Sequence, residues 1–291
     1  MTPVVLHHGF MGLEFRAGPI NLMSTFPGID RGIAGRGHPL IVSRVHPTAG
    51  VVTRARQLKE IILRQLQILG REHERVILVG HSMGGLDARY MISRLGMADR
   101  VAALVTVTTP HRGTAYADWC VRHIGQRLRA LQMLNLLKLD MGAALDLTTD
   151  GCRRFNEEIA DDPSVRYFSV SAARPWHRVP AFALHAYKVV YDAEGDNDCL
   201  VSVRSATWGE HLGTWPADHF HTINKRWVIE LKNPTGDITP YYLRMLDEVQ
   251  RRLAGPAPAP SASTAAAAAH PLGRTSVKST LNGVGGISAA R

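Results

Sequence analysis

The chain has 291 residues, 45% of them hydrophobic and 20% charged, with a formal net charge of +9 when histidine is neutral. That composition supplies the apolar mass of one large α/β domain and excludes a fibrous or wholly disordered chain. The Lys and Arg residues are scattered, with no dense run interleaved with aromatics, which argues against nucleic acid as a partner.

Pro3-Val4-Val5-Leu6-His7 reads as a buried strand stopped by a turn at His8-Gly9-Phe10. Residues 40–45 form a second predicted strand. Residues 52–69 place apolar side chains at helical spacing (Val52, Ala55, Leu58, Ile61, Ile62, Leu66, Leu69), and Gly70 is the stop signal. Arg75-Val76-Ile77-Leu78-Val79 is a third strand, followed at once by Gly80-His81-Ser82-Met83-Gly84 and a predicted helix over 83–95. Residues 101–108 are a fourth strand. The strands are continuous apolar runs separated by helices, the pattern of a parallel sheet covered on both faces.

Beyond Pro110 the pattern changes. Residues 119–139 predict a helix with an apolar stripe and several arginines on its other faces. We expect residues 114–165 to be a helical lid or cap inserted into the domain. Strands are expected at 165–172 and 184–191, and a closing amphipathic helix at 238–253. From Gly255 onward the chain is rich in Ala, Pro, Ser and Gly, so residues 1–254 are the expected domain and 255–291 a disordered tail.

Cys120, Cys152 and Cys199 are odd in number and lack zinc-site spacing, which favours free thiols. The chain enters an apolar run directly after Met1-Thr2, without a basic leader or cleavage site, and no apolar segment is long enough to span a bilayer. A cytoplasmic protein is the expectation.

Gly80-His81-Ser82-Met83-Gly84 fits G-x-S-x-G between a strand and a helix. The chain must reverse within a few residues, which strains the serine and lifts its hydroxyl above the carboxyl edge of the sheet. Side chains at Gly80 or Gly84 would strike neighbouring backbone. Ser82 is therefore the candidate nucleophile. The Met83 N–H, at the start of the next helix, is a candidate oxyanion donor.

Several blocks then resemble a known family. GHSMGGLDARY, TVTTPHRGTAYADW, and GDNDCLVSVRSATWG followed by ADHFHTIN occur in the order found in bacterial true lipases of the Pseudomonas/Burkholderia type. His8-Gly9-Phe10 resembles the oxyanion loop of lipases, which makes the Phe10 N–H the second candidate donor, with His7 and His8 structural. The resemblance implies an α/β-hydrolase fold, an acylglycerol or other lipid ester as substrate, and a Ser-His-Asp triad. It assigns the acid to Asp198 and the base to His219, in the chain order of this fold. Cys199 stands where the family has glycine. Asp192 and Asp196 are neighbouring alternatives for the acid, and His221 competes with His219. His111 precedes the acid and is read as structural.

The family also carries calcium. The matching positions hold His221 and Lys225, and Arg204 stands where the family has a disulfide cysteine, so neither the family's calcium ion nor that disulfide is expected, and no cofactor. The expected activity is ester hydrolysis through an acyl-enzyme, with transient contact at a lipid surface. Rival readings are a polyester (polyhydroxyalkanoate) depolymerase, an acyl thioesterase, or an inactive binding module on the same fold.

Overall fold

The computed structural model describes residues 1–12, 15–17, 20–125, 142–225 and 236–255. In chain order these form β1 (Val4–His7), β2 (Phe15–Ala17), β3 (Ile20–Met23), α1 (Ile29–Gly35), β4 (Leu40–Val42), α2 (Val51–Ile68), β5 (Val76–His81) and α3 (Gly84–Arg94). There follow β6 (Val101–Val107), α4 (Ala115–Gly125), α5 (Gly142–Asp146), α6 (Thr149–Glu158) and β7 (Arg166–Ala172). The remainder is α7 (Leu184–Glu194), α8 (Val203–Ala206), β8 (Glu210–Trp215) and α9 (Thr239–Ala254). Met1–Gly255 make one compact unit. The expected tail beyond Gly255, and the part of the expected helix 119–139 that follows Gly125, lie outside the described residues.

Six strands pair in the order β4-β1-β5-β6-β7-β8, every pair parallel. β2 and β3 pair separately as an antiparallel ribbon. The continuous apolar runs follow from burial on both faces. Val4, Leu6, Ile77 and Val79 pack with Ile29 and Ile33 of α1 and with Tyr242 and Leu246 of α9. Val5, Val76 and Leu78 point the other way, into Leu58, Ile62 and Leu66 of α2 and Met91 and Ile92 of α3. Each such leucine or isoleucine contributes about 1.5–3 kcal/mol by leaving water.

Residues 184–191 are a correction. The run was read as a strand, but they open α7. Ala186, Tyr187 and Val190 are its buried positions, spaced for one helical face. Valine and tyrosine content suggested a strand, whereas the three- and four-residue spacing decides the structure. β8 was missed because it is a partly exposed edge strand, Glu-His-Leu-Gly-Thr-Trp, without an apolar run.

α2 has no side-chain cap of its own; Asp146 of α5 accepts the Val51 N–H at 2.7 Å. This pins the segment after the described part of α4 to the main body. All three cysteines are free thiols. Among the described residues no helix is long and apolar enough to cross a membrane.

Candidate active site

Ser82 lies between β5 and α3 with φ at 54°, the left-handed conformation expected of the turn. Its N–H donates to Val107 O at 2.9 Å, and its carbonyl accepts from the Thr109 hydroxyl at 2.7 Å. The flanking glycines are required by close backbone. A Cβ at Gly80 would lie 2.8 Å from Gly85 N, and one at Gly84 would lie 2.8 Å from His8 O. A Cβ at Gly9 would lie 2.6 Å from that of Ser82, so the β1 loop rests directly on the serine. Neither the Phe10 nor the Met83 N–H donates to a protein acceptor among the described residues.

The turn after β8 carries His219. Its Nε2 is 3.0 Å from Ser82 Oγ and its Nδ1 is 2.7 Å from Asp198 Oδ2. A proton on Nδ1, given to the carboxylate, leaves the Nε2 lone pair facing the serine hydroxyl. Asp198 is fully buried, and its other oxygen accepts the Leu200 and Val201 N–H groups at 3.0 and 2.7 Å. The two loops also join through the backbone, His219 N–H to Asp198 O at 2.7 Å. Cys199 takes φ of 82° inside the acid turn, where the family has glycine. Burial pushes its thiol well above the ordinary range.

The competing residues are placed elsewhere. Asp192 is exposed and pairs with Lys188, and Asp196 is exposed. His221 meets Arg174 and Gly236 O, and His111 meets Thr106 and stacks on Trp208.

Sequence reasoning missed the polar groups behind these loops. Arg54 of α2 is fully buried, with Nε 2.8 Å from Asp87 Oδ2 and one terminal nitrogen donating to His8 O and Gly9 O at 2.6 and 3.2 Å. Arg54 sits on the apolar stripe of α2, where a charge signals a buried partner; that was the available clue. His7 Nε2 also meets Asp87, at 2.9 Å, and Nδ1 meets the Ser43 hydroxyl at 2.6 Å. Burial lowers His7 well below its usual range, lowers His8 to about 3, and raises Asp87 to about 6 against the pull of Arg54. His81 is likewise held neutral by burial. Its Nε2 donates to Thr222 Oγ1 at 3.0 Å, whose hydroxyl donates to His219 O at 2.6 Å.

The calcium ion implied by the resemblance does not suit the groups beside the base. A hard divalent cation takes oxygen ligands. Here the matching side chains are an imidazole and a lysine, and the Arg174 guanidinium already holds Asp218 at 2.7 Å and His221 at 3.1 Å.

A parallel six-stranded sheet, a strained serine after its third strand in space, and an acid and a base on later loops define one architecture. Among solved structures, a metagenomic carboxyl esterase superposes with a TM-score of 0.67 at 19% identity, covering 87% of this chain and 75% of that one. The chain has an α/β-hydrolase fold. Residues 50–143 of the chain match the PGAP1-like alpha/beta domain family. Triacylglycerol lipase 2 of Saccharomyces cerevisiae is 29% identical over 245 residues, spanning 77% of this chain and 73% of that protein. A triacylglycerol lipase of Vibrio cholerae is 34% identical over 116 residues, which is 40% of this chain and 35% of that lipase. Both of these relatives are named as triacylglycerol lipases.

Proposed function

We propose that this hydrolase cleaves carboxylic esters of lipids, acylglycerols foremost, with Ser82 as nucleophile, His219 as base and Asp198 as its orienting acid. The observation that carries the reading is the His219 bridge, 3.0 Å to Ser82 Oγ on one side and 2.7 Å to Asp198 on the other. His219 Nε2 takes the hydroxyl proton as Ser82 Oγ attacks the ester carbonyl. Asp198 stabilises the imidazolium that forms. The Phe10 and Met83 N–H groups face the developing oxyanion, each worth about 3 kcal/mol in the transition state. His219 then protonates the departing alcohol, and water, activated by the same imidazole, releases the acid. Within the lipases, the order and content of the GHSMGGLDARY, TVTTPHRGTAYADW and ADHFHTIN blocks favour the Pseudomonas/Burkholderia type.

The test is Ser82→Ala assayed on p-nitrophenyl esters and on triacylglycerol. Loss of at least about a thousandfold in kcat/KM is expected, together with loss of fluorophosphonate labelling. Retained turnover in a folded Ser82→Ala protein would overturn the assignment.

A further inference from the structure

Arg174 stands two residues beyond the end of β7 and is 6% exposed. Its backbone N–H donates to Asn197 O at 3.1 Å, on the turn that carries Asp198. Its side chain reaches the other turn, the one that carries His219. One terminal nitrogen donates to Asp218 Oδ2 at 2.7 Å and to Arg178 O at 3.3 Å. The second donates to His221 Nδ1 at 3.1 Å. His221 presents a lone pair there because its Nε2–H is given to Gly236 O at 2.7 Å.

Asp218 is the centre of that turn. It is 1% exposed, and its Oδ1 accepts the Phe220 and His221 N–H groups at 3.0 and 2.9 Å. Its carbonyl accepts the Thr222 N–H at 3.0 Å. The guanidinium therefore grips the residue before His219 and the residue two places after it, while its own backbone holds the acid turn. Its charge also compensates a buried carboxylate adjacent in sequence to the imidazole. Without that compensation Asp218 would add negative potential beside His219 and favour the imidazolium.

Resting on the triad reading above, we infer that Arg174 is a positioning residue for the His219–Asp198 pair. It locks the base turn to the acid turn and compensates the buried Asp218 carboxylate, so that His219 is held aligned with Ser82. The groups that surround His219 from the packed elements are Asp198, His81 with its ring centroid at 4.9 Å, Asp218, and Lys225 further along the same turn. Arg174 also lines a cavity of about 800 Å³ with Trp176, Tyr187 and Tyr191.

The experiment compares wild type with Arg174→Met, Arg174→Lys, Arg174→Ala and the double variant Arg174→Met/Asp218→Asn on a soluble p-nitrophenyl ester across pH. Arg174→Met is expected to lower kcat roughly tenfold to a hundredfold with little change in KM, since alignment acts on the chemical step. The acid limb of its kcat/KM profile is expected to move to higher pH, because an uncompensated carboxylate then stands beside the base. In the double variant the limb returns to its wild-type place, because no uncompensated carboxylate remains. Arg174→Lys keeps the wild-type limb, and guanidinium ion at millimolar concentration restores part of the Arg174→Ala rate. A folded Arg174→Met protein with wild-type kcat and an unmoved profile would overturn the inference, as would a loss of thermal stability with the profile unchanged. The Ser82→Ala control separates the two readings. If that variant is dead and Arg174→Met behaves as wild type, only the positioning role fails.

Discussion

Arg54 and Arg174 are both buried arginines that meet an aspartate behind a loop of the site, yet their surroundings differ. Arg54 and Asp87 lie at 0% side-chain exposure beneath the β1 loop, with two neutral histidines beside them. Asp87 receives Arg54 and His7 on a single oxygen, Oδ2, and its Oδ1 has no partner among the described residues. Asp218 uses both oxygens, one for Arg174 and one for two backbone N–H groups. Among the described residues the first carboxylate is held only by the side chains of Arg54 and His7, whereas the second is also held by the backbone of the turn it organises. A buried charge is tolerated in proportion to the hydrogen bonds that replace water, so equal-looking ion pairs should fail unequally.

The comparison breaks most visibly at Arg54. Arg54→Met removes the cation that pairs Asp87 in the core and should cost about 3–5 kcal/mol in urea unfolding, the usual penalty for breaking one side of a buried pair. Adding Asp87→Leu should recover most of it. A double variant as unstable as the single one would show that the arginine stabilises by packing instead.

Acid should strike the same region next. His8 is neutral in the folded protein, its pKa lowered from 6.5 to about 3, so its contribution is present above pH 6.5 and is lost as pH falls toward 3. That amounts to about 2 kcal/mol between pH 7 and pH 5. His7 acts in the same direction. Asp87 opposes them, because its folded pKa is raised from 3.8 to about 6: its contribution is complete below 3.8 and fades as pH rises through 6. The histidines outnumber it, so the urea midpoint should fall from pH 7 to pH 5, and His8→Asn should flatten the fall. A midpoint that rises on acidification would contradict this account.

On the other side, Arg174→Met should cost less stability, about 1–2 kcal/mol, because Asp218 keeps its two backbone donors. Measured beside Arg54→Met, it tests whether hydrogen-bond saturation or burial alone sets the penalty. Equal losses would favour burial.

The smallest effect belongs to Cys199, at φ 82° next to the acid. Cys199→Gly removes strain of about 1–3 kcal/mol but also a buried thiol that packs with Val179 and Tyr187. The net change should lie within about 1 kcal/mol with activity kept. Cys199→Val, β-branched in a left-handed conformation, should lose more of both stability and turnover.

The sequence was most legible where structure is local. The elbow needs only a strand, a turn and a helix within some twenty consecutive residues, and the turn's sterics dictate Gly80 and Gly84. β1, β5 and β6 were readable because burial on both faces demands unbroken apolar runs, whereas the short ribbon of β2 and β3 gave no such signal. α7 was misread because its valines and tyrosines carry strand propensity, and only docking chooses which face is buried. β8 was invisible because an edge strand has little apolar face to reveal.

What the sequence alone determined, then, was a doubly covered parallel sheet with a strained serine at its carboxyl edge, since local sterics and burial leave little else for those residues. The tertiary structure decided which of the nearby aspartates and histidines meet that serine. Ser82 and His219 are 137 residues apart, and no spacing rule spans such a distance. It also decided the arginines behind the site. A buried cation is readable only through the partner it faces, and for both Arg54 and Arg174 that partner lies on another element, brought near by the closing of the sheet.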